Sequence, residues 1–195
     1  MTDVSDPGHF SQPAVLRDGT PVLIRAIRPD DGNMIAVAFR KLDPQSVYTR
    51  FFSFKKDLSA DEIERLETPD FVHAVVLVAA VGTGADEILI GGASYTVCSE
   101  ADAVPMAELA FTIGEEYQGK GLSSQFLALL VEMARGQGIA RFEADVLASN
   151  RAMLAVFERS GLPMTRARDE GVVHVVLDLR QDPSADDPPP PVALA

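Results

Sequence analysis

Residues 111–130 read FTIGEEYQGKGLSSQFLALL, and the organisation of the chain turns on them. An apolar run through Phe111, Thr112 and Ile113 stops at Gly114, a polar turn carries Gly119 and Gly121, and apolar residues recur at helical spacing from Leu122 onward. A strand, a glycine turn and a helix N-terminus in that order suit an anion. Glycine lets the backbone approach a phosphate closely, the amides from Gln118 to Ser124 point outward, and the helix macrodipole adds about half a positive charge. Ser123 and Ser124 can add hydroxyl donors in the first turn.

Three anion loops and one plain turn compete for this stretch. Gly114 through Lys120 fits G-x-x-x-x-G-K, but Gly121 follows where a nucleotide-hydrolysing loop needs Ser or Thr to hold magnesium. The dinucleotide pattern G-x-G-x-x-G fails as well, because Ser124 stands where its third glycine belongs and repeated β-α units are missing. What remains is Q-x-x-G-x-S at 118–123, or a glycine turn that merely feeds a capped helix.

Working outward, Val22–Ile27 reads as a strand and Pro29 starts a helix with Asp30 and Asp31 in its first turn. Residues 44–52 and 59–67 are predicted as short helices, the second with Ser59 and Glu62 as a capping box. Val75–Val81 and Glu87–Cys98 form a hairpin around Gly82 and Gly84, and Ala107–Ile113 is a third strand. A helix over Leu122–Gly138, a strand over Arg141–Leu147, a helix over Arg151–Gly161 capped by Asn150 and a strand over Val172–Leu179 complete the order. This predicts an α+β fold, a mixed, mainly antiparallel sheet flanked by helices, with one parallel crossover through the helix after Gly121. The domain is expected over 15–180. Residues 1–14 and the Pro/Asp-rich 181–195 can bury little apolar area and are expected to be flexible ends.

Composition narrows the function. With 29 acidic against 17 basic side chains the net charge is -12, a field that repels nucleic acid and leaves a phosphate ligand only a local site. The single cysteine, Cys98, permits no intrachain disulfide and suggests no thiolate metal centre. A start without a basic, apolar leader, and the lack of an apolar run of ~18 residues, predict a cytoplasmic protein that does not span a membrane.

Gln118, Gly121 and Ser123 resemble the pyrophosphate motif of the GNAT acetyltransferase superfamily, usually Q/R-x-x-G-x-G/A, with Ser123 a departure in the last slot. NRAMLAVFERSGL at 150–162 is similar to that family's closing helix. RDGTPVLIRAIRPDD (17–31), SVYTRFF (46–52), GGASY (91–95) and MAELAFTI (106–113) resemble the acetyltransferase domain of bacterial Pat-type protein lysine acetyltransferases, which modify acyl-CoA synthetases. The resemblance implies a GNAT fold and acetyl-CoA as cosubstrate. It implies contacts from Phe111, Thr112 and Ile113, from Gln118, Gly119, Lys120, Gly121, Leu122, Ser123 and Ser124, and from Asn150. It also implies a protein lysine as acceptor. Pat-type domains are commonly joined to a regulatory or synthetase-like module, for which this chain is too short.

A lysine amine with its usual pKa near ~10.4 is almost wholly protonated at neutral pH, a handicap of roughly 4 to 5 kcal/mol, so a base is useful. Glu108 is the one ionisable side chain of 107–113, and strand alternation puts it on a face with Ala110 and Thr112, opposite Leu109, Phe111 and Ile113. Taken alone it is a base on a cleft floor or a solvated sheet residue; the resemblance implies the general base. Phe157 occupies the position where many GNAT enzymes carry a tyrosine acid. His73 and His174 read as satisfied sheet histidines without metal-ligand spacing, Cys98 as a small core residue, and Tyr95 and Tyr48 as core or acceptor-pocket residues. The competing functions are a small-molecule amine acetyltransferase, to which the acidic surface is suited, and a non-catalytic acyl-CoA sensor.

Overall fold

An apolar run without polar alternation, as at 75–81, needs cover on both faces of its sheet. The computed structural model, which describes residues 4–51, 53, 55–98 and 104–180, provides it. The run lies in β3 (Ala74–Val81), flanked by β2 (Pro21–Ala26) and β4 (Ile88–Val97), near the middle of an eight-stranded sheet. The other strands are β1 (Ser11–Val15), β5 (Met106–Ile113), β6 (Arg141–Leu147), β7 (Met164–Asp169) and β8 (Val172–Asp178). Their order is β1-β2-β3-β4-β5-β6-β8-β7. Every neighbouring pair is antiparallel except β5 and β6, joined by the crossover helix.

The five α-helices of the described residues are α1 (Gly32–Arg40), α2 (Pro44–Phe51), α3 (Ala60–Glu67), α4 (Leu122–Gly136) and α5 (Arg151–Glu158). On α4 the buried positions Leu122, Phe126, Leu130 and Met133 recur every three to four residues and face the sheet in the main core, which α5 joins through Phe157. A smaller cluster of Ile27, Val76, Val78 and Leu89 lies under α1 on the other face. Tyr95 belongs to the main core: it is fully buried and its hydroxyl donates to Gln137 Oε1 at 2.6 Å. None of the helices in the described residues is long and apolar enough to cross a membrane.

The start of the chain departs from expectation. Residues 11–14, expected by their composition to be part of a flexible end, pair with β2 together with Val15 as β1, and Phe10 is core. β7 was likewise missed. Both are edge strands with exposed, polar sequences, SQPAV and MTRARD, which carry almost no apolar alternation. The tail at 181–195 lies outside the described residues.

The start of α1 also differs. Asp31 is the N-cap residue but its side chain caps nothing, and no acidic residue occupies the first turn. Instead both carboxylate oxygens accept from the buried Arg25, Oδ2 from Nη1 at 2.7 Å and Oδ1 from Nη2 at 2.8 Å, while Glu87 also pairs with Arg25. Burial alone would raise the Asp31 pKa, but the Arg25 hydrogen bonds and the Arg28 amide outweigh it and hold it below the usual carboxylate range. A depressed folded-state pKa contributes stability that is present above that range and lost as pH falls through the folded value. Asp31→Ala is expected to lower unfolding free energy by about 2 kcal/mol at neutral pH, less than for a fully orphaned buried charge because Glu87 stays on Arg25. Urea unfolding of parent and variant at pH 7 checks this, and equal midpoints would refute it.

Candidate acyl-transfer site

β5 and β6 pair only through Met106–Glu108 and Arg141–Glu143, although both strands continue. Past Glu108 the sheet therefore splits. The antiparallel ladder with β4 shows which β5 groups face the split. Cys98 N donates to Met106 O and Gly114 N to Ile90 O, so those pairs are the hydrogen-bonded ones and, by alternation, Glu108, Ala110 and Thr112 also bond to β4. The backbone groups of Leu109, Phe111 and Ile113 point the other way, Leu109 into the last pair with β6 and Phe111 and Ile113, past that pair, into the gap. Backbone amides so placed need partners.

The gap opens into a cavity of about 920 Å³, lined by β5, β6, the turn before α4 and α5. Gly121, at φ 92°, turns the chain into α4 in the left-handed region that favours glycine. Among the described residues the amides of Gly119 through Ser124 donate to no backbone carbonyl, and the first helical donor is Gln125 N to Gly121 O. Gln118 departs from expectation: its amide closes a turn onto Glu115 O and its side chain braces the end of β5 through Ile113 O at 3.1 Å.

Of the residues singled out in the sequence, Glu108, Phe111, Thr112, Ile113, Gln118, Gly119, Gly121, Leu122, Ser123, Ser124 and Asn150 all line this cavity. Lys120 does not; its Nζ lies 2.8 Å from Asp18 Oδ2 and over the Tyr117 ring. Asn150 Oδ1 accepts from Met153 N at 3.2 Å, capping α5 at the cavity wall. Phe157 is fully buried, edge-on to Phe111. Arg17, Gln45, Ser46 and Arg159 line the cavity without having been singled out, because each arrives from an element remote in sequence.

A second cavity, of about 1000 Å³, lies over the other sheet face, walled by α1, α3, β4 and β5. Ala110, Thr112 and Tyr117 line both. The two spaces meet across β5 at Ala110 and Thr112, and Glu108, two residues before Ala110 on the same strand, lines the first cavity, exposed and aligned with Glu143 on β6. Glu143 Oε1 accepts from Cys98 Sγ at 3.2 Å and its Oε2 lies 3.7 Å from His174 Nε2. Cys98 is thus exposed rather than core, and partial burial together with Glu143 pushes its thiol up to about 11, the wrong direction for a nucleophile. His73 is also exposed, outside any strand, with Nδ1 on Asp70; His174 sits on β8 with Nδ1 on Asp145. Among the described residues no group of three or more His, Cys, Asp or Glu side chains is placed to hold a metal ion.

The family model described as the acetyltransferase (GNAT) domain matches residues 22–163, which hold β5, the glycine turn and the crossover helix. The chain belongs to the GNAT acetyltransferase family. Acetyltransferase Pat of Mycolicibacterium smegmatis is 31% identical over 167 residues, 86% of this GNAT chain and 48% of its own length. Acetyltransferase PA5475 of Pseudomonas aeruginosa is 30% identical over 71% of this chain and 73% of its own. The chain thus spans about half of the first relative and about three quarters of the second. Among solved structures, the GNAT domain of S. lividans PAT superposes with a TM-score of 0.77 at 33% identity, covering 86% of this chain and 96% of that one.

Proposed function

We propose that the protein is an acetyl-CoA-dependent N-acetyltransferase whose acceptor is a lysine side chain of a protein. The observation that carries this reading is the meeting of two cavities across β5 at Ala110 and Thr112, on the strand that carries Glu108 in the donor cavity, one floored by the glycine turn and one open on the opposite sheet face. Direct transfer is served by that arrangement, because donor and acceptor can be held together with their reacting atoms in contact. Acetyl-CoA fits the first cavity: diphosphate on the Gly119–Ser124 amides, pantetheine arm along the unpaired edge of β5, thioester near Glu108.

In this reading Glu108 takes a proton from the acceptor ammonium, directly or through one water. The neutral amine nitrogen attacks the thioester carbonyl carbon, and the developing oxyanion is met by β5 amides of the Phe111–Ile113 segment that face the gap. Collapse breaks the carbon–sulfur bond and the attacking nitrogen releases its second proton to water, leaving the acetylated amine and CoA thiolate. Phe157 cannot donate to that thiolate, which takes its proton from water. Cys98 lines neither cavity and so offers no acyl-enzyme route.

The wide acceptor cavity carries Asp43, Glu115 and Glu116, and Glu62 paired with Lys55, against Lys41 and Arg65, an acidic excess that suits a cationic amine on a protein or a small molecule. Incubation with radiolabelled acetyl-CoA and a cell lysate, followed by separation of protein from small molecules, decides between them: label in protein lysines is expected, and label confined to small molecules would refute the protein acceptor. No turnover despite CoA binding would indicate a sensor. Because among the described residues the Gly119–Ser124 amides donate to no backbone carbonyl, CoA has donors to bind, and at one hundred times its dissociation constant it should raise unfolding free energy by roughly 2.7 kcal/mol. An unchanged melting temperature in millimolar CoA would remove the cofactor assignment.

A further inference from the structure

The sequence motif draws attention to Lys120, yet in the structure that charge is already engaged. Its ammonium is on Asp18, whose carboxyl is held well below the usual range by the Lys120 hydrogen bond and the Thr20 amide, so the pair stays ionised and locally neutral. Two arginines, Arg17 and Arg159, line the donor cavity, and among the described residues neither has a carboxylate partner.

Arg17 is built onto the glycine turn. The β1–β2 turn that carries it is fastened there by Arg17 N to Lys120 O at 3.0 Å, by Lys120 to Asp18, and by Gln125 Nε2 to Val15 O at 3.1 Å. Its side chain lies across Gly121: Nε is 3.1 Å, and Cγ 3.4 Å, from where a Cβ on Gly121 would sit. The guanidinium therefore borders the same space that the Gly119–Ser124 amides face. In a protein of net charge -12, an uncommitted cation at that spot has a clear electrostatic use.

We infer that Arg17 is a cofactor-binding residue, the cation that pairs with the diphosphate of CoA, and that Lys120 instead holds the β1–β2 turn in place. The inference rests on the cofactor reading above. An arginine reaches two phosphate oxygens at once, with charge-assisted hydrogen bonds stronger than neutral ones. It acts from an element remote from the motif, so the motif alone does not reveal it.

Calorimetric titration of the full chain with CoA and with 3′-dephospho-CoA tests it. Arg17→Gln is expected to weaken both ligands by the same factor, about 10-fold or more. Arg17→Lys should recover part of the loss, and Lys120→Gln should cost less than Arg17→Gln. The slope of log Kd against log salt should fall in Arg17→Gln, since one phosphate-paired cation is gone. Arg17 is exposed, so an unchanged melting temperature without ligand is expected and confirms folding. Unaltered CoA affinity in Arg17→Gln, a loss seen with CoA but absent with 3′-dephospho-CoA, or a larger loss in Lys120→Gln would each overturn the assignment while leaving the cofactor reading intact. Failure of the parent to bind CoA would overturn both.

Discussion

Glu108→Gln is expected to lower the acetyl-transfer rate by ~10²-fold or more at neutral pH while leaving CoA affinity nearly unchanged. Glutamine keeps the size and hydrogen-bonding capacity of glutamate but removes its basicity. Glu108 is exposed, so packing survives the change. It stands where β5 and β6 part and lines the donor space, two residues along β5 from where the two cavities meet and away from the glycine turn that would hold the phosphates. The loss should shrink as pH rises, because the acceptor amine then deprotonates unaided and the base contributes less. Rates of parent and variant measured from pH 6 to 9 check both parts. Superimposable profiles would exclude Glu108 as the base, and a constant ratio across that range would point to a role in positioning the acceptor instead.

Gly121→Asp should abolish measurable CoA binding in a protein that still folds, with affinity down by more than about 10³-fold, equivalent to ~4 kcal/mol. Gly121 has φ 92°, where a side chain costs ~1–2 kcal/mol, and the new Cβ would meet Arg17 Nε at 3.1 Å, a flexible side chain that can yield. The new carboxylate offsets part of that cost, since a negative charge suits a helix N-terminus. It would also lie against the Arg17 guanidinium and occupy the space of the phosphate. Gly121→Ala, with bulk but no charge, should lose less. Calorimetry on the two variants separates the contributions, and a Gly121→Asp protein that binds CoA like the parent would show that this turn is not the phosphate site.

The parts of the fold legible in the sequence are those whose burial leaves a periodic trace. The apolar run at 75–81, the alternation of Glu108, Ala110 and Thr112 against Leu109, Phe111 and Ile113, and the helical spacing from Leu122 each follow from one element facing the core. The edge strands β1 and β7 left no such trace, because one side of each pairs with the sheet and the other meets water. Asp31 followed the local rule for helix starts, and a tertiary partner overrode it: Arg25, on a strand facing α1, takes both carboxylate oxygens. The candidate site was legible along β5 and the glycine turn, which are contiguous, whereas Arg17 and the splitting of β5 from β6 depend on pairings that no local pattern encodes.

The fastening of the β1–β2 turn to the start of α4 gives the order of synthesis a role. Val15 O and Gln125 Nε2 are 110 residues apart in the chain, and Arg17 N waits for Lys120 O in the same way. The first hairpin leaves the ribosome long before its partner exists, and contacts so distant in sequence form late and slowly. A nascent chain halted before α4 holds an unfinished seam along this hairpin, with an amide and a carbonyl exposed for capture by another strand. A bulky fusion placed ahead of β1 would press on the same seam, so its effect would be felt at the glycine turn, far along the sequence from the point of attachment.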